Sequence, residues 1–342
     1  MRFELMGTAK MDELWTEIQE LQPDFMKDMA LVEDELIKSV PSDQPTVLYN
    51  ASKHLIKTGG KRIRPAMVLL SQRAVNGSSD IEEAMPIAVA VELIHTATLI
   101  HDDIIDKSSM RRRTQTVNAR WGNDAALIAG DLLFSKAFGM IGTHEEKRLS
   151  QILSRACMRL AEGEVLEMLH TGDVEMTEEV YLEVIERKTA SLTEASSKCG
   201  AVLGGADDDE VKALASYGYH LGAGFQIMDD ILDVIAGEFK LGKPIGLDIT
   251  LGKPTLIILH ALKVAKDGEK EALEKILKGE ISSNSDVKEA LEIVKGTNSI
   301  SYTSKRAKSL IEKAKSGLSE LDDSKAKQAL ELIADYAISR DF

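Results

Sequence analysis

The sequence predicts an all-α protein, and three observations carry that reading. Positions of one helical face recur at three-to-four spacing, as in Val89, Leu93, Thr96 and Ile100, or Leu160, Glu164 and Glu167. Strict alternation of apolar and polar residues is hard to find anywhere. Aromatic residues are only 4% of the chain and β-branched clusters are short, which disfavours a large sheet. Length would by itself give about two domains, but no glycine–proline linker interrupts the helical spacing. The expectation is one domain over residues 1–342, with 1–20 as a peripheral extension. It would hold roughly a dozen helices, close to the upper size for a single core.

Taken in order, the N-terminus has early acids and no long apolar run, so no signal peptide is expected. Gly59-Gly60-Lys61-Arg62-Ile63-Arg64-Pro65 is a glycine turn, a basic triplet and a proline suited to a helix's first turn. The helix from Pro65 aims its positive pole near Lys61 and Arg64, which makes an anion site; the plain alternative is an exposed basic loop. The longest apolar stretch, Ala84 to Ile105, contains Glu92, His95 and an acidic motif, and reads as a buried core helix rather than a membrane span. Arg111-Arg112-Arg113 follows its end, where guanidinium forks can match phosphate oxygens or neutralise the acids.

Cys157 and Cys199 fall on helices with no close His partner, so neither a disulfide nor a zinc site is expected and a reducing cytoplasm fits. Lys188-Thr189 and Gln226 are polar interruptions in helical runs. Asp207-Asp208-Asp209-Glu210 precedes a periodic run and reads as an N-cap and first turn. Lys243 and Lys253 each sit in a Gly-Lys-Pro turn, balanced between surface residue and anion ligand. Residues 263–320, rich in Lys and Glu, read as a solvated helical face.

The strongest signal is a motif written twice, Asp102-Asp103-Ile104-Ile105-Asp106 and Asp229-Asp230-Ile231-Leu232-Asp233. At about 6% of each acidic type, one chance copy is roughly a one-in-fifteen event and two are far rarer. Both follow apolar runs, so both belong on buried-face helices. There the first and last Asp are i,i+4 neighbours that repel each other. All-oxygen clusters of this kind suit a hard cation, and magnesium prefers one or two carboxylates plus a substrate's phosphates. The formal net charge of −14 argues against nucleic acid as a partner.

In this order the motifs closely resemble those of the trans-isoprenyl diphosphate synthases, the polyprenyl synthetases. The resemblance runs from Lys61 to Lys253, through His95, both acidic motifs, Arg111-Arg112, Lys188-Thr189 and Phe225-Gln226, and extends to Arg340. It implies antiparallel helices around a central cavity, a homodimer, and condensation of isopentenyl diphosphate with an allylic diphosphate. The allylic substrate would be dimethylallyl, geranyl, farnesyl or geranylgeranyl diphosphate.

By the same resemblance, Lys61, Arg64, His95 and Arg112 would bind isopentenyl diphosphate. Arg111, Lys188, Thr189, Gln226, Lys243 and Lys253 would bind the allylic diphosphate. Asp102, Asp106 and Asp229, supported by Asp103, Asp230 and Asp233, would hold three magnesium ions. Lys188, Thr189, Gln226, Asp102 and Asp229 would be nearest the chemistry. Where the family commonly has Arg-Arg-Gly-x-Pro-Thr, this chain has Arg111-Arg112-Arg113-Thr114-Gln115-Thr116, so the loop must take its shape without the glycine and proline.

In this family the growing chain points along the first-motif helix. Ala97 and Thr98, one turn deeper, are small where short-chain enzymes place a ring, and Ile94 lies on the next turn. The expected product therefore has 25 carbons or more, about five to eight isoprene units. The alternatives are a 20-carbon synthase, a terpene cyclase, which would not need Lys61 and Arg64, or a regulatory subunit, which would be expected to lose motif acids.

Overall fold

The computed structural model describes residues 9–77, 81–235, 246–281 and 283–339, so Lys243 and Arg340 lie outside the described residues. The elements used below are α1 (Ala9–Leu21), α2 (Phe25–Lys38), α3 (Thr46–Lys57), α4 (Ile63–Asn76) and α5 (Ile81–Ile105). A hairpin follows, β1 (Met110–Arg111) with β2 (Thr114–Gln115). After it come α6 (Val117–Trp121), α7 (Asn123–Gly142), α8 (Lys147–Leu169), α9 (Glu178–Ile185), a π turn (Glu186–Ala190), α10 (Ser191–Leu203) and α11 (Asp208–Ile235). Further helices cover Leu247–Thr250, Leu256–Val264, Asp267–Leu277, Asn284–Gly296, Ser299–Gly317 and Lys325–Ser339. The fold is all-α, as the spacing predicts; the hairpin is an addition that the spacing does not foresee.

The residues group into two compact units. The first comprises Met1–Cys157, Leu192–Gly218 and Ala314–Tyr336. At its centre is α5, with thirteen buried residues spread over every face, which is why it reads as uniformly apolar rather than amphipathic. Helix α4 packs on α5, and α7 runs along it. Gly200 lets α10 approach α4, since a β-carbon there would lie 2.2 Å from the Val68 carbonyl oxygen. Both α5 and α7 are long and apolar enough to cross a membrane, but 67% of the apolar window of α5 is buried in protein and 33% of that of α7.

The second unit comprises Met158–Ser191, Tyr219–Lys313 and Ala337–Phe342. Its core gathers Tyr181, Val184, Ile227, Met228, Ile231, Ile257, Leu273 and Val294, among others. Each fully buried side chain of this size contributes about 1.5–3 kcal/mol. The acid run before α11 caps it as expected: Asp207 Oδ1 accepts from the N–H groups of Asp209 and Glu210, and Glu210 reaches back to the N–H of Asp207.

Candidate active site

In the first unit the first motif closes α5, with Asp102 and Asp103 in its last turn and Asp106 just past its end. Carboxylates are disfavoured at that pole of a helix, whose carbonyls already point outward. The end is therefore tied off locally. Lys107 takes a left-handed conformation at φ 51°, the N–H of Ser108 donates to the Asp103 carbonyl, and the Asn118 amide donates to the carbonyls of Asp103 and Ser108. Asp102 and Asp106 are partly exposed on one face, while Asp103 is buried at 1% exposure. Arg111 engages Asp103 from the hairpin, its Nε donating at 2.9 Å and its Nη2 lying 2.8 Å away. Burial outweighs that pairing and raises the Asp103 carboxyl above its ordinary value.

The hairpin turn answers how the Arg111–Thr116 loop holds its shape without glycine and proline. Arg112 and Arg113 both adopt positive φ, 51° and 63°, the pair of left-handed residues that a two-residue hairpin turn needs. Arg112 donates to the Gly59 carbonyl oxygen, which joins the hairpin to the glycine turn. Burial lowers the Arg112 guanidinium to about 10, against the opposing pull of Glu92.

On the glycine turn, Lys61 Nζ lies 5.8 Å from the ring centre of Tyr336, and Arg64 sits in the first turn of α4. The helix begins at Ile63, two residues before Pro65. Arg62 between them is turned inward, paired with Glu33 and Glu92. His95 lies one turn after Glu92 on α5. Burial, then Arg64, Arg112, Arg111 and Arg62, hold its imidazole well below the ordinary histidine value. It is a neutral hydrogen-bonding group near pH 7, not a fourth cation.

In the second unit, Lys188 and Thr189 fall inside the π turn, where one extra residue widens the helix and re-aims its side chains. Gly163 on α8 makes room for that bulge, because a β-carbon there would meet the Lys188 backbone nitrogen at 2.4 Å. Lys188 Nζ lies 2.6 Å from both Glu164 Oε2 and Glu167 Oε2, and Lys253 Nζ lies 3.1 Å from Glu167. Burial would raise the Glu167 carboxyl, but the two lysines overcome it and hold it low.

Thr189 donates to the Gln226 side-chain oxygen at 2.9 Å, and Gln226 donates from its amide to Asp230 at 2.9 Å. Tyr181 donates to the other Asp230 oxygen at 2.6 Å. Burial and then Asp248 raise the Asp230 carboxyl well above its ordinary value, although these two donors favour its charge. Asp229 is partly exposed, and Asp233 is buried and accepts from the Asp248 N–H at 3.1 Å. The carbonyl of Asp248 in turn accepts from the Lys253 N–H at 2.8 Å, which ties the lysine turn to the second motif.

Among the described residues, no three His, Cys, Asp or Glu side chains form a cage that would hold a metal by protein ligands alone. The donor set still fits magnesium. It is all oxygen, and Asp102 with Asp106 offers a partly exposed i,i+4 pair on one face. That is the one-or-two-carboxylate share the ion takes when phosphates complete its shell.

Several groups were not singled out by sequence. Glu164 and Glu167 read only as helical periodicity, and Tyr181 and Asp248 carried no motif. Glu92 had a usable signal, a lone carboxylate in the apolar run from Ala84 to Ile105. Ile227 and Met228, on the turn before Asp229, are buried in the core of the second unit.

The comparisons agree with this chemistry. The polyprenyl synthetase model matches residues 45–294. A short chain isoprenyl diphosphate synthase of Methanothermobacter thermautotrophicus is 41% identical over 93% of this chain and 98% of its own. The octaprenyl diphosphate synthase of Escherichia coli is 36% identical over 92% and 96%. A Caulobacter crescentus polyprenyl synthase, solved with calcium and isoprenyl diphosphate, superposes with a TM-score of 0.90 at 36% identity, covering 94% of this chain and 98% of its own.

The chain belongs to the polyprenyl synthetase family. It is an enzyme of isoprenoid biosynthesis, a prenyltransferase that makes isoprenyl diphosphates in trans.

Proposed function

We propose that this enzyme extends an allylic diphosphate with isopentenyl diphosphate to a linear product of 25 carbons or more, working as a magnesium-dependent homodimer of single-domain chains in the cytoplasm. The observation that carries the reading is that each unit holds an acidic motif together with ordered cations. Arg111 pairs with Asp103 in the first; in the second, Lys188 and Lys253 are held by Glu164 and Glu167 of α8, with the turn of Lys253 tied through Asp248 to Asp233. The exposed apolar residues Leu127, Ile128 and Phe138 on α7 support a second copy as partner. The unit boundaries fall inside helices such as α8 and α11 rather than in linkers, which supports a single domain.

In the proposed scheme Lys188, Lys253 and Arg111 hold the departing allylic diphosphate, with Thr189 and Gln226 fixing its orientation and Lys243 adding a further cation. Lys61, Arg64, Arg112 and the neutral His95 hold isopentenyl diphosphate, whose double bond attacks the allylic cation. Asp102, Asp106 and Asp229, supported by Asp103, Asp230 and Asp233, would hold three magnesium ions. Magnesium held there would draw off charge building on the leaving oxygens. The released diphosphate can accept the final proton, so no Asp, Glu or His is required as base.

The product length rests on the small Ala97 and Thr98. The relatives span short-chain to octaprenyl enzymes, and 41% identity to a geranylgeranyl diphosphate synthase of Methanosarcina mazei supports the 20-carbon alternative. Chromatography of products from labelled isopentenyl diphosphate with each of four allylic primers tests the whole scheme. A linear diphosphate of 25 carbons or more is expected. A ladder ending at 20 overturns the length, and a cyclic hydrocarbon or no product without a partner protein overturns the reaction.

A further inference from the structure

We propose that Glu92, Arg62 and Glu33 form a buried ionic clamp that fixes the isopentenyl diphosphate anchors, making Arg62 and Glu92 positioning residues for that substrate alone. The inference rests on the assignment of Lys61, Arg64, His95 and Arg112 to isopentenyl diphosphate.

Three cations stand within four residues of the glycine turn, yet only Arg62 is driven inward. Its side chain is 2% exposed, and its backbone is left-handed at φ 50°. A non-glycine residue holds that conformation when its surroundings over-determine it. Here they do. Glu33 of α2 accepts from Arg62 Nε at 2.7 Å and Nη2 at 2.9 Å, a fork-to-fork pair. Glu92 of α5 accepts from Nη1 at 2.7 Å, and the Ile56 carbonyl accepts from Nη2 at 3.0 Å. Arg62 thus has four of its five N–H donors committed. It is the wrong group to grip a phosphate.

What it does hold is the turn. Lys61 precedes it, Arg64 follows two residues on, and a rotation at Arg62 moves both. Glu92 carries the same constraint to α5, one turn before His95. Arg112 is drawn in through Gly60, where a β-carbon would lie 3.1 Å from both of its terminal nitrogens and 3.2 Å from Arg62 Nη1. Four anchors from the glycine turn, α4, α5 and the hairpin therefore share one buried ionic reference.

Glu92→Gln separates positioning from simple charge, because the two give opposite signs. Removing a negative charge near a diphosphate pocket would tighten binding if charge alone mattered. Loss of position must weaken it. The test is steady-state kinetics of the full-length enzyme with isopentenyl diphosphate and farnesyl diphosphate, together with the unfolding temperature. Glu92→Gln should raise KM for isopentenyl diphosphate about ten-fold and leave the allylic KM within about two-fold, a loss confined to one substrate. An unchanged or lower isopentenyl KM overturns the clamp, as does an equal rise in both.

Should Glu92→Gln fail to fold, Arg62→Met/Glu92→Leu removes both deeply buried charges together, which proteins tolerate better than breaking a pair. That variant should fold and show the same selective rise; a wild-type KM overturns the proposal. A wild-type protein that binds no isopentenyl diphosphate overturns the proposed function, and this inference with it.

Discussion

Tyr181 donates its phenolic hydrogen to Asp230 across 2.6 Å, with both side chains buried, at 3% and 4% exposure. The bond anchors the relay in which Gln226 is held by Asp230 on one side and Thr189 on the other. Tyr181→Phe leaves a buried carboxylate oxygen without its donor, at a cost of about 1–3 kcal/mol. Gln226 loses its fixed partner, so the allylic KM should rise several-fold while the isopentenyl KM stays put. Urea unfolding and paired KM measurements check this; wild-type values in both would remove Tyr181 from the site.

Gly163→Ala should be far worse than an alanine for glycine usually is on a helix, where it helps by about 1 kcal/mol. The added methyl would meet the Lys188 backbone nitrogen. Either α8 or the π turn must move, and Lys188 and Thr189 go with it. At least a ten-fold loss of kcat/KM for the allylic substrate is expected, with helical circular dichroism unchanged. An enzyme more stable and fully active would show that the turn yields freely.

Arg113→Gly restores the residue that the left-handed φ of 63° prefers. Relief of that conformation should exceed the added entropy of the unfolded chain, giving a gain of about 0.5–1 kcal/mol. Activity should be preserved, because Arg111 and Arg112 keep their places. Loss of activity in this variant would mean that the Arg113 side chain itself contributes.

Acid should weaken the fold through His95. Burial and the neighbouring arginines depress its folded-state value, so as pH falls through about 6.5 the unfolded chain takes up a proton that the folded chain refuses. The His95 contribution is complete above that pH and is lost below it. Unfolding free energies measured between pH 7.5 and 5.5 should fall more steeply in wild type than in His95→Gln. Parallel slopes would assign the acid sensitivity to other groups.

The two small residues ahead of the first motif differ in surroundings. Ala97 is fully buried, as is Ile94 a turn below, and shares the helix face of His101, which lies against Gly130 of α7. Thr98 is partly exposed, its hydroxyl donating to the His95 carbonyl at 2.8 Å. Ala97→Phe should shorten the product but cost about 1–3 kcal/mol of stability through overpacking. Thr98→Phe should shorten it with less loss. If neither variant changes the chromatogram, the hydrocarbon does not pass this turn.

The all-α class, the placement of both acidic motifs on helices and the Asp207 cap were legible because each depends on residues within about one turn of one another. The inward turn of Arg62, the grip of Tyr181 on Asp230 and the lysine pair on Glu167 were not, since their partners lie 30, 49 and 21 to 86 residues away. The π turn escapes for another reason: a single surplus residue barely disturbs an apolar period. The hairpin escapes because two-residue strands leave no alternation to find.

The middle acid of each motif is engaged on its own side, Asp103 by Arg111 and Asp230 by Tyr181 and Gln226. Descent should have left a trace of this. Lineages that replace Arg111 are free to replace Asp103 with it, and those that lose Tyr181 can let Asp230 drift to an amide. Asp102, Asp106 and Asp229, if they answer to the ion and the substrate, are held by what the reaction needs, which no exchange of residues in the protein can replace. The two five-residue signatures should therefore vary at their second letter in company with a distant residue, and hold fast at their first.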